Sequence, residues 1–248
     1  MSLFVWATLA SLATGILSLA GGIVLLYRKR LKQSTLRCLV SFAAGAMLAA
    51  AFIDILPEAF ERGDARSISA YILVGIVIFF LAEKFLLWHH HSHEHSVEET
   101  KPVGTLVILG DTMHNFLDGI TIGLTFLVSV PLGIITTMAI IFHEIPQEIG
   151  DFAILLDAGF TKTRVFFYNL LSSFATLVGA WLALFFSGVF ENAIPQLIAL
   201  AAGSFIYISA ADLIPEIHRE SNTKNIRYQT LALVLGVIVI WLAVGLAE

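Results

Sequence analysis

Cysteine is almost missing from this chain: among 248 residues there is one, Cys38. No intrachain disulfide can form, and no cluster of thiolates can hold a metal. Charge is scarce as well. Asp, Glu, Lys and Arg make up 13% of the residues against 58% hydrophobic ones, and mean hydropathy is +0.87. A soluble domain of this length needs far more polar surface, so the composition places the chain in a membrane. No basic patch with interleaved aromatics occurs and the net charge is −5, which leaves nothing for nucleic acid to bind. No phosphate-binding loop is present, so ATP is not the direct drive of any activity. The apolar runs lack the strict alternation of a lipid-facing barrel strand. No basic stretch precedes the first apolar run, and no convincing cleavage site follows it. That run reads as a first span and not as a removed signal.

What the sequence has is long apolar runs. A spanning helix needs about 20 mostly apolar residues, and eight runs qualify: 3–26, 36–56, 68–88, 103–128, 132–157, 165–188, 195–216 and 228–247. Helices satisfy every backbone group internally, so the expected fold is all-α, a polytopic protein of eight transmembrane helices in a single domain over 1–248. The basic residues are distributed unevenly. Arg28, Lys29, Arg30, Lys32, Arg37, Lys84, Lys101, Lys162, Arg164, Arg219, Lys224 and Arg227 fall in or beside odd-numbered loops, and only Arg62 and Arg66 in the others. The positive-inside rule then sets the odd loops in the cytoplasm and both termini outside. A weak internal repeat supports the same count: AAGAMLAAAFIDILPE at 43–58 resembles AAGSFIYISAADLIPE at 201–216, at a constant offset of 158. The copies fall on spans 2 and 7, which cross in opposite directions, as in the inverted repeats of secondary transporters.

Charge reappears where lipid makes it expensive. Span 4 contains LGDTMHNFLDGITIG, with Asp111, His114, Asn115 and Asp118; span 5 contains IIFHEIPQEIGDFAILL, with His143, Glu144, Gln147, Glu148 and Asp151. A carboxylate at mid-membrane costs about 2.5–3.5 kcal/mol on insertion scales, so five unpaired ones would cost on the order of 10 kcal/mol. No Lys or Arg lies at matching depth, which leaves cations from solution as partners. At 3.6 residues per turn, the span 4 positions fall within an arc of about 100° and the span 5 positions within about 140°. The two spans are joined by a short turn around Ser129 to Gly133, so the stripes belong to antiparallel neighbours. Imidazole with carboxylate suits zinc and other first-row divalent ions better than calcium or magnesium. Pro146 bends span 5 and frees a backbone oxygen; Pro57 and Pro215 act likewise near Asp54 and Asp212. Gly119 and Gly123 form a small-xxx-small pair suited to close packing.

HNFLDG at 114–119 and HEIPQE at 143–148 resemble the paired signatures of the ZIP (Zrt/Irt-like) metal-ion transporters. The likeness covers the chain and is nearest to the branch whose fifth span reads H-E-x-P-H-E-x-G-D. It implies import of zinc, and often iron, manganese or cadmium, toward the cytoplasm across a plasma membrane. It implies inverted three-helix repeats around a central helix pair, often a homodimer, and no resident cofactor beyond the transported ion. In this chain it assigns one metal to His114, Asp118, His143 and the side chain at 147, with Met47 offering a thioether. Asn115 and Glu144 help to hold a second. One departure stands out: position 147 is Gln147 where that branch has His. A neutral amide is a poor bridge, which implies weaker binding and broader selection.

The expected route enters near Asp54 and Glu58, crosses the stripes and leaves past Asp111, Glu148 and Asp151 toward the His-rich loop at 89–101. His218 reads as a solvated residue. Two rivals belong to other classes. HEIPQ approaches the H-E-x-x-H of a zinc metalloprotease, and an intramembrane protease is the alternative, although Gln147 breaks the motif. A metal sensor without flux is the other.

Overall fold

The computed structural model describes residues 2–27, 33–91, 100–218 and 221–247. Among them there is helix and no strand. Eight helical rods follow in order. They are α1 (Leu3–Tyr27), α2 (Gln33–Ala49, Ala50–Ile55 and Leu56–Arg62), α3 (Ala65–His91), α4 (Thr100–Val128), α5 (Val130–Asp157), α6 (Lys162–Phe185), α7 (Ile194–Tyr207, Ile208–Leu213 and Ile214–His218) and α8 (Thr223–Ala247). Short turns of helix at Ser187–Phe190 and Glu191–Ala193 link α6 to α7.

This is an all-α polytopic membrane protein. Six stretches are long and apolar enough to cross a bilayer: Leu3–Val24, Ser34–Arg62, Val130–Leu156, Lys162–Phe185, Ile194–Ala211 and Thr223–Leu246. Among the described residues α3 adds a further apolar stretch, Ala65–Leu81. α4 is missing from the six because its carboxylates, imidazole and amide pull its hydropathy down.

The offset of 158 extends beyond the repeat seen in the sequence. It carries α1 onto α6, α2 onto α7 and α3 onto α8, with boundaries agreeing to within about three residues. The middle stretches of α2 and α7, Ala50–Ile55 and Ile208–Leu213, are both π-helical, and they coincide at that same offset. In each, the residue that follows closes a five-residue step: the Leu56 N–H donates to the Ala51 carbonyl, and the Ile214 N–H to the Ser209 carbonyl. Pro57 and Pro215 come next. A proline lacks the N–H that an α-turn needs there, and a wider turn absorbs the loss without ending the rod. The expected bends at these prolines are therefore π-turns, and α2 runs on to Arg62, where its side chain pairs with Glu58.

Packing repeats with the same symmetry. α1 lies on α5 as α6 lies on α4; α2 lies on α8 as α7 lies on α3. The two outer pairings are close enough for backbones to touch. A Cβ at Gly45 would overlap the Leu233 carbonyl oxygen, and one at its repeat equivalent, Gly203, would overlap that of Ile72. Small residues let helices approach this closely in a membrane. One large apolar cluster, including Met47, Ile55, Phe126, Ile140, Ile198 and Phe205, fills the centre. A smaller one, Leu19, Phe152, Leu155 and Val165, joins α1, α5 and α6.

Candidate metal site between α4 and α5

Ser129 alone separates α4 from α5. Its extended backbone and its hydroxyl, which accepts from the Leu132 N–H, start α5 at once, with Pro131 in the first turn where no N–H is needed. The reversal is tight, so the two polar stripes face each other. α6 backs α4: a Cβ at Gly119 would overlap the Thr176 carbonyl oxygen, and one at Gly123 would crowd Ala180 and Ala183. The small-xxx-small pair on α4 therefore packs, as its spacing predicts. α5 stays helical through Pro146.

Four side chains converge. His114 Nε2 and His143 Nε2 are 3.0 Å apart. His143 Nε2 lies 3.2 Å from Asp118 Oδ2 and 3.7 Å from Glu144 Oε1. His114 Nε2 lies 3.5 Å from Glu144 Oε1 and 3.8 Å from Asp118 Oδ2. One ligand atom from each of the four falls within 4.8 Å of all the others. His143 and Glu144 are buried, whereas the His114 side chain keeps 17% of its exposure, so His114 is on the open side. Phe205 sets its ring against His143, with centroids 6.3 Å apart.

His143 has its ring oriented from behind. Its Nδ1 is 3.3 Å from the Ala139 carbonyl, which can only accept, so Nδ1 carries the proton and Nε2 is left for a ligand. Two imidazoles and two carboxylates supply four N/O donors, the number zinc takes in a tetrahedral site. Neither Glu144 oxygen has a hydrogen-bond partner among the described residues, nor does either Glu148 oxygen. Buried carboxylates are normally satisfied, and orphaned ones call for a cation.

A second group, Asp111, Glu144 and Glu148, shares Glu144 with the first. It offers oxygens only. Asp151 falls outside both groups. Gln147 belongs to the same α5 stripe, one turn beyond His143, and falls outside both groups. Asn115 is also engaged: its Nδ2 donates to Asp111 Oδ1 at 2.8 Å, and its Oδ1 accepts from Thr176 Oγ1 at 2.9 Å. Met47 is fully buried in the central apolar cluster. Asp54 lies in the π-turn of α2, away from both groups. The segment 92–99, which carries part of the His-rich loop, lies outside the described residues.

Ser172 and Thr176, which touch Asn115 from α6, are the residues at this seam that the sequence did not point to. They belong to a buried polar row on α6, Asn169, Ser172, Ser173 and Thr176, at spacings of three and four. That spacing was the available signal, but uncharged hydroxyls in an apolar helix do not announce themselves.

The model of the family described as ZIP Zinc transporter matches residues 2–104 and 87–243. The zinc transporter ZIP13 of Pongo abelii is 34% identical over 220 residues, covering 82% of this chain and 65% of that protein. The zinc transporter ZIP13 homolog of Drosophila melanogaster is 30% identical over 277 residues, covering 85% of this chain and 78% of that protein. The human zinc transporter ZIP6 is 39% identical over 140 residues, 54% of this chain but only 18% of its own length. The chain thus spans about two thirds of the first of these relatives and under a fifth of the ZIP6 protein. The chain belongs to the ZIP zinc transporter family.

Proposed function

We propose that this member of the ZIP family carries divalent metal ions, zinc foremost, across a membrane by way of the His114–Asp118–His143–Glu144 quartet. One observation carries the reading: four donor atoms from two antiparallel helices meet within 4.8 Å, while the Glu144 carboxylate has no hydrogen-bond partner among the described residues. The relatives are named zinc transporters, which agrees with it. Nitrogen and oxygen donors without thiolate bind zinc while leaving it exchangeable, which a carrier requires. Iron, manganese and cadmium suit the same donors.

Movement is toward the cytoplasm, with both termini outside and the whole chain acting as one transport domain of eight spans in the plasma membrane. The ion enters from the side of Asp54 and Glu58, exchanges water for the quartet, passes Asp111, Glu148 and Asp151, and is received by the His-rich segment 89–101. Gln147, a neutral amide, weakens selection relative to a histidine there. The protease reading has no support: position 147 supplies no second imidazole, and the relatives are named transporters.

Uptake by proteoliposomes that enclose a zinc indicator tests this. Wild type should fill the vesicles, and His114→Ala with His143→Ala should not. Wild-type uptake no faster than empty vesicles, or equal uptake by the double variant, would overturn it.

A further inference from the structure

Asn115 has one atom able to ligate a metal, Oδ1, and that atom is turned away from the seam. Asp111 Oδ1 can only accept while ionised, so the Asn115 edge facing it at 2.8 Å is the NH2. The carboxamide oxygen is then on the α6 side, where Thr176 Oγ1 donates to it at 2.9 Å. Ser172 Oγ lies 3.5 Å from Asn115 Nδ2 and adds a second, weaker contact from the same helix. All four residues are buried, with 5% exposure at Asp111 the largest. Thr176 has a local alternative, because hydroxyls in helix interiors commonly bond the carbonyl one turn back, as Thr112 does with Ile108. Thr176 instead reaches across to α4.

Building on the transport site proposed above, we propose that Thr176, assisted by Ser172, is a positioning residue that withholds the Asn115 oxygen from the Asp111–Glu144–Glu148 group and so sets how many ions the seam holds. With the oxygen tethered, that group offers three carboxylates and no neutral donor, and the quartet takes the single tightly bound ion. A second ion has to turn the carboxamide over. The turn gives up both Nδ2 bonds to Asp111, at its carboxylate and its carbonyl, and the Thr176 donation to Oδ1, for one metal–oxygen contact, and Thr176 has to swing its own hydrogen away before it can accept from the NH2. Removing the Thr176 hydroxyl lowers the cost of that turn.

The test is zinc binding to the detergent-purified chain, read as two successive equivalents by titration calorimetry. Wild type should show one tight equivalent and one weak one. Thr176→Val and Thr176→Ala should leave the first unchanged and tighten the second about three- to tenfold, the value of one net hydrogen bond. Thr176→Ser keeps the donor and should behave as wild type. Ser172→Ala should have a smaller effect in the same direction. A second equivalent unchanged in both Thr176→Val and Thr176→Ala, or tightened equally in Thr176→Ser, overturns the proposal. His114→Ala with His143→Ala keeps the two readings separate: if the first equivalent survives there, the quartet assignment fails, whatever Thr176 does.

Discussion

The seam between α4 and α5 and the seam between α2 and α8 lie in the same molecule and follow opposite rules. The first is lined by His114, Asp118, His143 and Glu144, with carboxylate oxygens that no described side chain satisfies. The second has a glycine pressed against a carbonyl on each side, Gly45 on Leu233 and Gly236 on Phe42. Lipid gives helices little hydrophobic reason to associate, so an inert seam is closed by van der Waals approach of small residues. A seam built to hold an ion keeps polar groups it could cheaply have lost, and leaves them short of partners. Carboxylates without hydrogen-bond partners gather in the first seam, and glycine contacts close the second. The π-turns belong to the scaffold side, for they let α2 and α7 continue past their prolines.

The contrast breaks most visibly at His143. His143→Ala removes a quartet donor and should weaken zinc binding by more than about 100-fold, beyond the usual cost of losing a metal site's outer-shell partner. It should leave thermal stability in detergent nearly unchanged; calorimetric titration alongside a melting curve checks both. Gly45→Ala should do the reverse. Its new Cβ overlaps backbone, so stability should fall by about 3 kcal/mol, the upper end for overpacking. Gly150→Ala is the matched control: nothing lies within 4 Å of its Cβ position, and stability should change by no more than about 0.5 kcal/mol. Fluorescence-detected melting of the three chains decides it.

Gln147→His sharpens the comparison from within the functional seam. A neutral amide gives way to an imidazole that can bind metal, and zinc affinity should rise about tenfold. Competition between zinc and manganese for uptake should then favour zinc more strongly than in wild type. Equal competition by both chains would show that position 147 does not select. The smallest effect belongs to Thr14→Val on α1. Thr14 is the repeat equivalent of Ser172, but its hydroxyl donates to its own helix, at the Ala10 carbonyl 3.0 Å away. Zinc affinity should change by less than about twofold, because such local bonds contribute little beyond their own turn. A larger change would mean that α1 supports the seam as α6 does.

Much of this was readable before any coordinates. The eight rods follow from apolar length, and the α4 and α5 stripes from helical spacing, because both are local properties of the chain. The ends of α2 and α7 were not readable, since Pro57 and Pro215 signal a break or bend and nothing in the sequence announces a π-turn. Nor was the posture of Asn115. Its place beside His114 suggests a ligand, but its partners Ser172 and Thr176 lie 57 and 61 residues further along, and only the packing of α6 on α4 brings them near. The offset of 158 was legible at spans 2 and 7, where Asp, Pro and Glu recur. It was silent at the other two pairs, where the copies have kept their helices and lost their residues.

X-ray absorption at the zinc edge, on the purified chain loaded with one equivalent, addresses the central claim most directly. The quartet predicts two imidazole nitrogens at about 2.0–2.1 Å and two carboxylate oxygens at about 2.0–2.2 Å, with no sulfur scatterer. A zinc shell with fewer than two imidazoles, or with sulfur from Met47 or Cys38, would contradict it.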